Sequence, residues 1–90
     1  MHQRTVAVGS SSGLHARPAS LFVKAATRQP VRVTIGRDGQ APVDARSLLS
    51  VLALGARHGE SVVLAAEGDG AEAAVEELAT LLTDDLDAQE

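Results

Sequence analysis

Apolar and polar positions alternate with a period of two in some stretches of this chain and a period near 3.6 in others, and the switches mark out its elements. Thr5 to Val8 alternates and predicts a first strand, with Val6 and Val8 on one face. Ala19, Phe22, Val23 and Ala26 then recur at i, i+3, i+4 and i+7, the stripe of an amphipathic helix over about 16–27. Pro30 stops any continuation. Val31-Arg32-Val33-Thr34-Ile35 alternates apolar and polar as a half-buried antiparallel strand does. Asp38-Gly39 is a hairpin turn signal, and Gln40 to Val43 returns as a short strand that Pro42 confines to a sheet edge.

The second half follows the same logic. Ser47 fits the N-cap of a short helix, Leu48 to Leu54, closed by Gly55. Val62 to Ala66 is apolar on both faces, which predicts a central strand. Asp69 with Glu72 three residues on reads as an acidic capping box for a last helix. That helix turns Val75, Leu78, Leu81 and Leu82 to the core and Glu76, Glu77, Asp84 and Asp85 to water. An acidic, frayed tail is expected after Leu86. The order βαββαβα predicts an α+β fold, one antiparallel sheet with its helices on one face, as a single domain over residues 1–90. No repeat, linker or low-complexity segment interrupts it.

Composition narrows the chemistry. One phenylalanine is the only aromatic, so Val, Leu, Ile and Ala must build the core. The absence of cysteine excludes a disulfide framework and thiol chemistry, and suits a reducing compartment. No apolar run approaches the roughly 18 residues of a membrane span, and Val6-Ala7-Val8 is too short for a signal-peptide core, so a cytoplasmic protein without membrane insertion is expected. The net charge of −4 hides an asymmetry. Residues 1–58 hold all eight basic side chains against Asp38 and Asp44, a balance of +6, whereas residues 59–90 hold ten acids and no base, −10. Nucleic-acid binding fits poorly, given the negative net charge and the lack of stacking aromatics.

The candidate chemistry sits in Gly13-Leu14-His15-Ala16-Arg17-Pro18-Ala19, after the flexible polar run Gly9-Ser10-Ser11-Ser12. Pro18 suits the first helical turn, where a missing N–H has no intrahelical partner to lose. Backbone N–H groups of Ala16 and Arg17 should therefore stand open at the positive end of the helix dipole. A histidine, an arginine and open amides converging on one point make a place for a phosphate. The same field opposes a positive charge on the imidazole and favours a ring nitrogen free to act as nucleophile. A lone histidine is ordinarily a plain surface residue near a cap; the glycine-rich approach, the arginine and the early proline point the other way here. Arg17, Lys24 and Arg28 lie on the face opposite the apolar stripe. Such a face is usually just solvated, but beside a phosphate site it would also steer acidic partners. His2 and His58 have no companions at metal-ligand spacing and read as surface residues, so neither a metal nor a cofactor is expected.

The His15 segment resembles the active-site signature of the HPr family, the histidine phosphocarriers of the bacterial sugar phosphotransferase system. Arg46-Ser47-Leu48-Leu49-Ser50-Val51-Leu52-Ala53-Leu54-Gly55 is similar to that family's regulatory-serine segment, and Ala65-Ala66-Glu67-Gly68-Asp69-Gly70 also fits its pattern. Ser50 stands where a glycine-like residue is common, and the Gly39–Val43 region carries one apparent extra residue. The resemblance covers essentially the whole chain. It implies an open-faced β-sandwich, a four-stranded antiparallel sheet in the order 1-4-2-3 covered on one face by three helices. It implies a monomeric carrier, not a stand-alone catalyst, that takes phosphate on Nδ1 of His15 from Enzyme I and passes it to IIA domains of sugar permeases. Arg17 would neutralise the phosphoryl group, and Ser47 would be a target of an HPr kinase/phosphorylase. Leu48, Leu49 and Leu52 lie on a helix too short to bury them all; the remainder, with Lys24, would dock partners, while Val51 and Leu54 fill the core. Ser47 has a plainer reading as an N-cap worth about 1 kcal/mol. Two other functions stay open: a related carrier in a nitrogen-related or dihydroxyacetone phosphorelay, and a non-catalytic α+β regulatory module whose His15 is incidental.

Overall fold

Buried Val62, Leu64 and Ala66 alternate with half-buried Val63 and Ala65 along Ser61–Ala66, and this strand, β4, becomes the axis on which the sheet is built. The computed structural model describes residues 1–37 and 39–84. Its elements are β1 (His2–Ala7), α1 (Ala16–Thr27), β2 (Val33–Arg37), β3 (Val43–Asp44), α2 (Leu48–Ala53), β4 (Ser61–Ala66) and α3 (Ala71–Thr83). The sheet order is β1-β4-β2-β3, every neighbour antiparallel. The expected open-faced sandwich, with three helices and the strand order 1-4-2-3, is therefore the observed one.

Register fixes the two faces. Val6 pairs with Val62, and Leu64 pairs with Arg4 on one side and Ile35 on the other. Val6, Val33, Ile35, Val62 and Leu64 are buried beneath the helices with Phe22, Val51, Val75, Leu78 and Leu82. Phe22 is fully buried and carries the largest side chain of a core otherwise made of aliphatic residues. Residues of the opposite phase, Thr34, Val63 and Ala65, are half-buried on the uncovered side. Helix α1 buries Pro18, Ala19, Phe22, Ala25 and Ala26, with Val23 packed at the margin.

Several boundaries differ from the sequence reading, each for a reason that lies in pairing. Strand β1 begins at His2 instead of Thr5, because His2, Gln3 and Arg4 pair with residues 64–66 despite their polarity. Strand β2 runs two residues later than expected, since its ladder to β4 starts at Val33 and reaches Arg37. Strand β3 shrinks to two residues on the sheet edge. Pro42 just before it has no N–H to give and packs instead over Gly36, where a Cβ would stand 3.0 Å from Pro42 Cα. The 37–40 turn closes with Gln40 N–H donating to the Arg37 carbonyl at 3.0 Å; Asp38 lies outside the described residues.

Two expectations about α3 and one about β1 need correction. The Asp69–Glu72 capping box does not form: Gly70 takes the N-cap in the left-handed region (φ 90°) with no side-chain cap. Asp69 is thereby one residue too early to cap. Glu76 does not simply face water, and His2 is not a bare surface residue. The Glu76 carboxylate binds Arg4 and, at 3.0 Å, His2 Nε2, tying α3 to β1. Leu81 packs at the core margin, with Val75, Leu78 and Leu82 inside, while Glu77 and Asp84 are exposed. Asp85 and the tail from Leu86 lie outside the described residues.

The end of α3 also fixes the start of the loop after β1. Gly9 N–H donates to Leu82 O at 2.8 Å, and a Cβ on Gly9 would collide with the Thr83 carbonyl. Gly9→Ala must push backbone from backbone, so unfolding stability is expected to fall by about 3 kcal/mol, high in the range for overpacking. A denaturant midpoint equal to wild type would show that the end of α3 yields freely.

Candidate functional site

Loop 9–14 reaches its histidine by leaning on a second loop, 55–60, between α2 and β4. Gly13 makes this possible: its φ of 78° lies where glycine is unstrained, and a Cβ there would come 2.7 Å from Ala56 O and 2.9 Å from Arg57 Cα. Gly13 N–H donates to Ser10 O, and Leu14 N–H donates across to Ala56 O, both at 2.9 Å. Leu14 then buries its side chain as an anchor. Val8 and Gly59–Glu60 exchange backbone bonds of 2.8–2.9 Å at the base of both loops.

His15 occupies the N-cap of α1 in extended conformation (φ −90°, ψ −171°) and makes no side-chain cap bond. Its carbonyl accepts the first helical bond, from Ala19 N–H at 2.8 Å. Ala16 and Arg17 precede that bond, so the helix offers their N–H groups no carbonyl of its own, and Pro18 in the same turn has no N–H to lose. The imidazole is exposed at the positive end of a 12-residue helix.

A concavity of ≈ 540 Å³ opens beside the ring, lined by Ser12, Leu14, His15 and Ala16 on one side and by Leu52, Gly55, Ala56 and Arg57 on the other. Helices α1 and α2 pack together, which brings Leu52 to this wall. A hollow on the open sheet face, ≈ 470 Å³ among Met1, Arg32, Thr34 and Pro42, holds no histidine and no helix start. The His15 concavity, by contrast, joins a histidine to the start of a helix. Arg17 and Lys24 are exposed on α1, and neither lines it.

Ser47 caps α2 as its sequence position suggests. Its Oγ accepts from Ser50 N–H at 3.3 Å and lies 3.0 Å from Ser50 Oγ, to which it donates. On α2, Val51 and Leu54 are buried, Leu52 is half-buried, Leu48 is 41% exposed and Leu49 82% exposed. Upstream, Asp44 accepts from Arg46 N–H at 2.9 Å and from its guanidinium at 3.0 and 3.2 Å, with Arg32 at 3.4 Å. The Arg46 side chain, then its backbone N–H, then the charges of Arg46 and Arg32 hold the Asp44 carboxyl below its ordinary value.

The sequence reading missed the 55–60 wall. Arg37, at the end of β2, donates to Leu54 O at 3.2 Å and to Glu60 Oε2 at 2.7 Å; Glu60 Oε1 accepts from Arg57 N–H at 2.7 Å. His58, expected to be a plain surface residue, is exposed but its Nδ1 lies 3.1 Å from the Ser10 carbonyl. Among the described residues no His/Asp/Glu group could hold a metal ion, and no helix is long and apolar enough to cross a membrane.

An open-faced sandwich of this strand order is shared with solved structures of small phosphocarrier domains. The family model for the HPr component phosphorylation site of the phosphotransferase system matches residues 2–84. The chain is 54% identical over 87 residues to phosphocarrier protein HPr of Streptomyces coelicolor, covering 97% of this chain and 94% of that one. It is 50% identical over 82 residues to phosphocarrier protein HPr of Haloferax volcanii, covering 90% and 92%. The crystal structure of a phosphocarrier protein HPr from Bacillus anthracis superposes with a TM-score of 0.85 at 37% identity, covering 90% and 95%. The chain belongs to the HPr family of phosphocarriers of the phosphotransferase system.

The Asp44 cluster carries a prediction of its own. An ionised Asp44 favours the folded state, because its folded value is depressed relative to the unfolded one. That stability is present in full above the unfolded value, about 3.9, and is lost as pH falls through the lower folded value. Asp44→Asn is therefore expected to be less stable than wild type at neutral pH, with the gap closing as pH falls below about 4. Denaturant midpoints of both proteins across that range check this; a gap independent of pH would remove the ion pairs as its cause.

Proposed function

We propose that His15 accepts and delivers the phosphoryl group, and that the supporting observation is its geometry: an exposed helix-capping imidazole, uncommitted to any cap bond, beside a concavity. In acceptance, the lone pair of a ring nitrogen, Nδ1 by family resemblance, attacks phosphorus. A P–N bond forms as the donor's bond to phosphorus breaks, and the donor leaves with that electron pair. Delivery is the reverse, with the acceptor's nucleophile in place of the donor. The Ala16 and Arg17 N–H groups and the Arg17 side chain balance the phosphate charge, while the partner protein completes the in-line geometry. No metal or cofactor is needed for this step.

The partners that fit are Enzyme I as donor and IIA domains of sugar permeases as acceptors, with the chain acting in the cytoplasm as a monomer. Leu48 and Leu49 expose apolar surface on α2, Leu52 lines the concavity, and Lys24 adds charge on α1. Together they make a surface with an apolar centre and a basic rim, suited to acidic partners. Ser47 sits at the start of that helix as a target for an HPr kinase/phosphorylase. A phosphate there is tolerated by the helix N-terminus and adds about two negative charges to the docking surface.

His15→Ala is expected to abolish acid-labile phosphate incorporation from phosphoenolpyruvate and Enzyme I, with its circular dichroism unchanged. Full labelling of that variant would overturn the assignment. Arg17→Lys keeps the charge but loses the planar fork, and transfer should slow in both directions with little loss of stability.

Ser47→Asp places one negative charge at the rim. At an effective dielectric near 20, like charges several ångströms apart cost on the order of 1–3 kcal/mol before salt screening. Acceptance from Enzyme I should weaken by roughly tenfold, mainly through KM, and recover partly with salt. Wild-type rates for this variant at low salt would place the docking surface elsewhere.

A further inference from the structure

The concavity beside His15 has two walls, and only one of them belongs to the helix start. The other is Leu52 with residues 55–57 of loop 55–60, where Arg57 lines the same space as His15. Its backbone is fixed from two sides. Arg57 N–H is bound by Glu60 Oε1 at 2.7 Å, and Arg57 Cα stands 2.9 Å from where a Gly13 Cβ would lie, two residues before His15. Glu60 is held in turn by Arg37 at 2.7 Å.

The other arginines of this sheet and its connections are already committed. Arg4 pairs with Glu76, Arg37 with Glu60, and Arg32 and Arg46 share Asp44. Glu60, whose carboxylate meets the Arg57 backbone, uses one oxygen on Arg37 and the other on that N–H. Among the described residues the Arg57 side chain has no carboxylate within ion-pair distance, and it is exposed. A guanidinium is a planar fork of donors matched to phosphate oxygens.

We propose that Arg57 is a second cation for the phosphoryl group on His15, binding its oxygens from the wall opposite the start of α1. This rests on His15 as the phosphorylated residue. Arg57 forms no bond to phosphorus and moves no proton; it binds the equatorial oxygens as charge gathers on them and favours the dianion once the P–N bond is made. Glu60 and Arg37 act through it as positioning residues, holding the loop against Gly13.

The test uses phosphoramidate, a small donor that needs no docking surface, alongside phosphoenolpyruvate with Enzyme I. Wild type, Arg57→Lys, Arg57→Gln and His15→Ala are compared, with thermal unfolding to confirm that each is folded. Arg57→Gln should accept phosphate from both donors about threefold to tenfold more slowly at low salt, the size expected of one charged contact open to solvent. Arg57→Lys should retain most of the rate, and the gap should narrow as salt is added. By ³¹P NMR, the second ionisation of the phosphoryl group on His15 should move to higher pH in Arg57→Gln, because the cation favouring the dianion is gone. A loss of packing alone would not move that midpoint.

If Arg57→Gln matches wild type in rate and midpoint, the role of Arg57 is overturned while His15 stands. A defect confined to the protein donor also overturns it, making Arg57 a docking contact instead. If phosphoenolpyruvate with Enzyme I labels wild type at a residue other than His15, or not at all, the reading of His15 fails, and the role of Arg57 falls with it.

Discussion

The seat of residues 13–14 on residues 56–57 is the contact that makes the site a site. Without the bond from Leu14 N–H to Ala56 O, and without the missing Cβ at Gly13, loop 9–14 would have no wall to lean on. A helix N-terminus is a positive end wherever it occurs. What turns this one into a shaped recess is a second segment pressed against it to within backbone contact. On the proposed reading of His15, a carrier would have to present this histidine the same way to each partner, and positioning of this kind is what the fold would contribute.

That seat is itself supported from the sheet. Arg37 leaves the end of β2 on the helix-covered side, meets the carbonyl of Leu54 at the end of α2, and binds Glu60. Glu60 passes the constraint to the Arg57 backbone, and its own carbonyl accepts from Val8. The chain of contacts thus runs from the end of β2 to the glycine and serine loop that leads to His15. It uses charged side chains that are each about one-third exposed, so its contribution is alignment more than raw stability.

Legibility in the sequence followed the range of the interactions. The α1 stripe, the early proline and His15 are local, and they lie in the structure where the spacing places them. Ser47 as a cap, the division of α2 into buried Val51 and Leu54 and exposed Leu48 and Leu49, and the central β4 are local patterns too. Apart from the Asp69 cap, what failed was decided by partners far away in sequence. Polar His2, Gln3 and Arg4 are strand because residues 64–66 pair with them. Asp69 does not cap because Gly70, free to take a left-handed conformation, occupies the cap position. Glu76 lies on the polar phase of α3 but is held to β1 by His2 and Arg4, more than seventy residues earlier. Arg57 carried no signal, since it lies in an irregular loop with no periodicity and is placed by Glu60 and by Gly13, the latter more than forty residues away.

The brevity of β3 bears on how the molecule keeps to itself. An unpaired strand edge is a template on which another chain can align its own backbone. At this edge the template is two residues long, preceded by a proline with no N–H and flanked by Arg32, Asp44 and Arg46 in a charged cluster. A foreign strand would find too few bonds there to register. The sheet can therefore leave one broad face uncovered, with Thr34, Val63 and Ala65 only half-buried, while this edge stays a poor nucleus for aggregation.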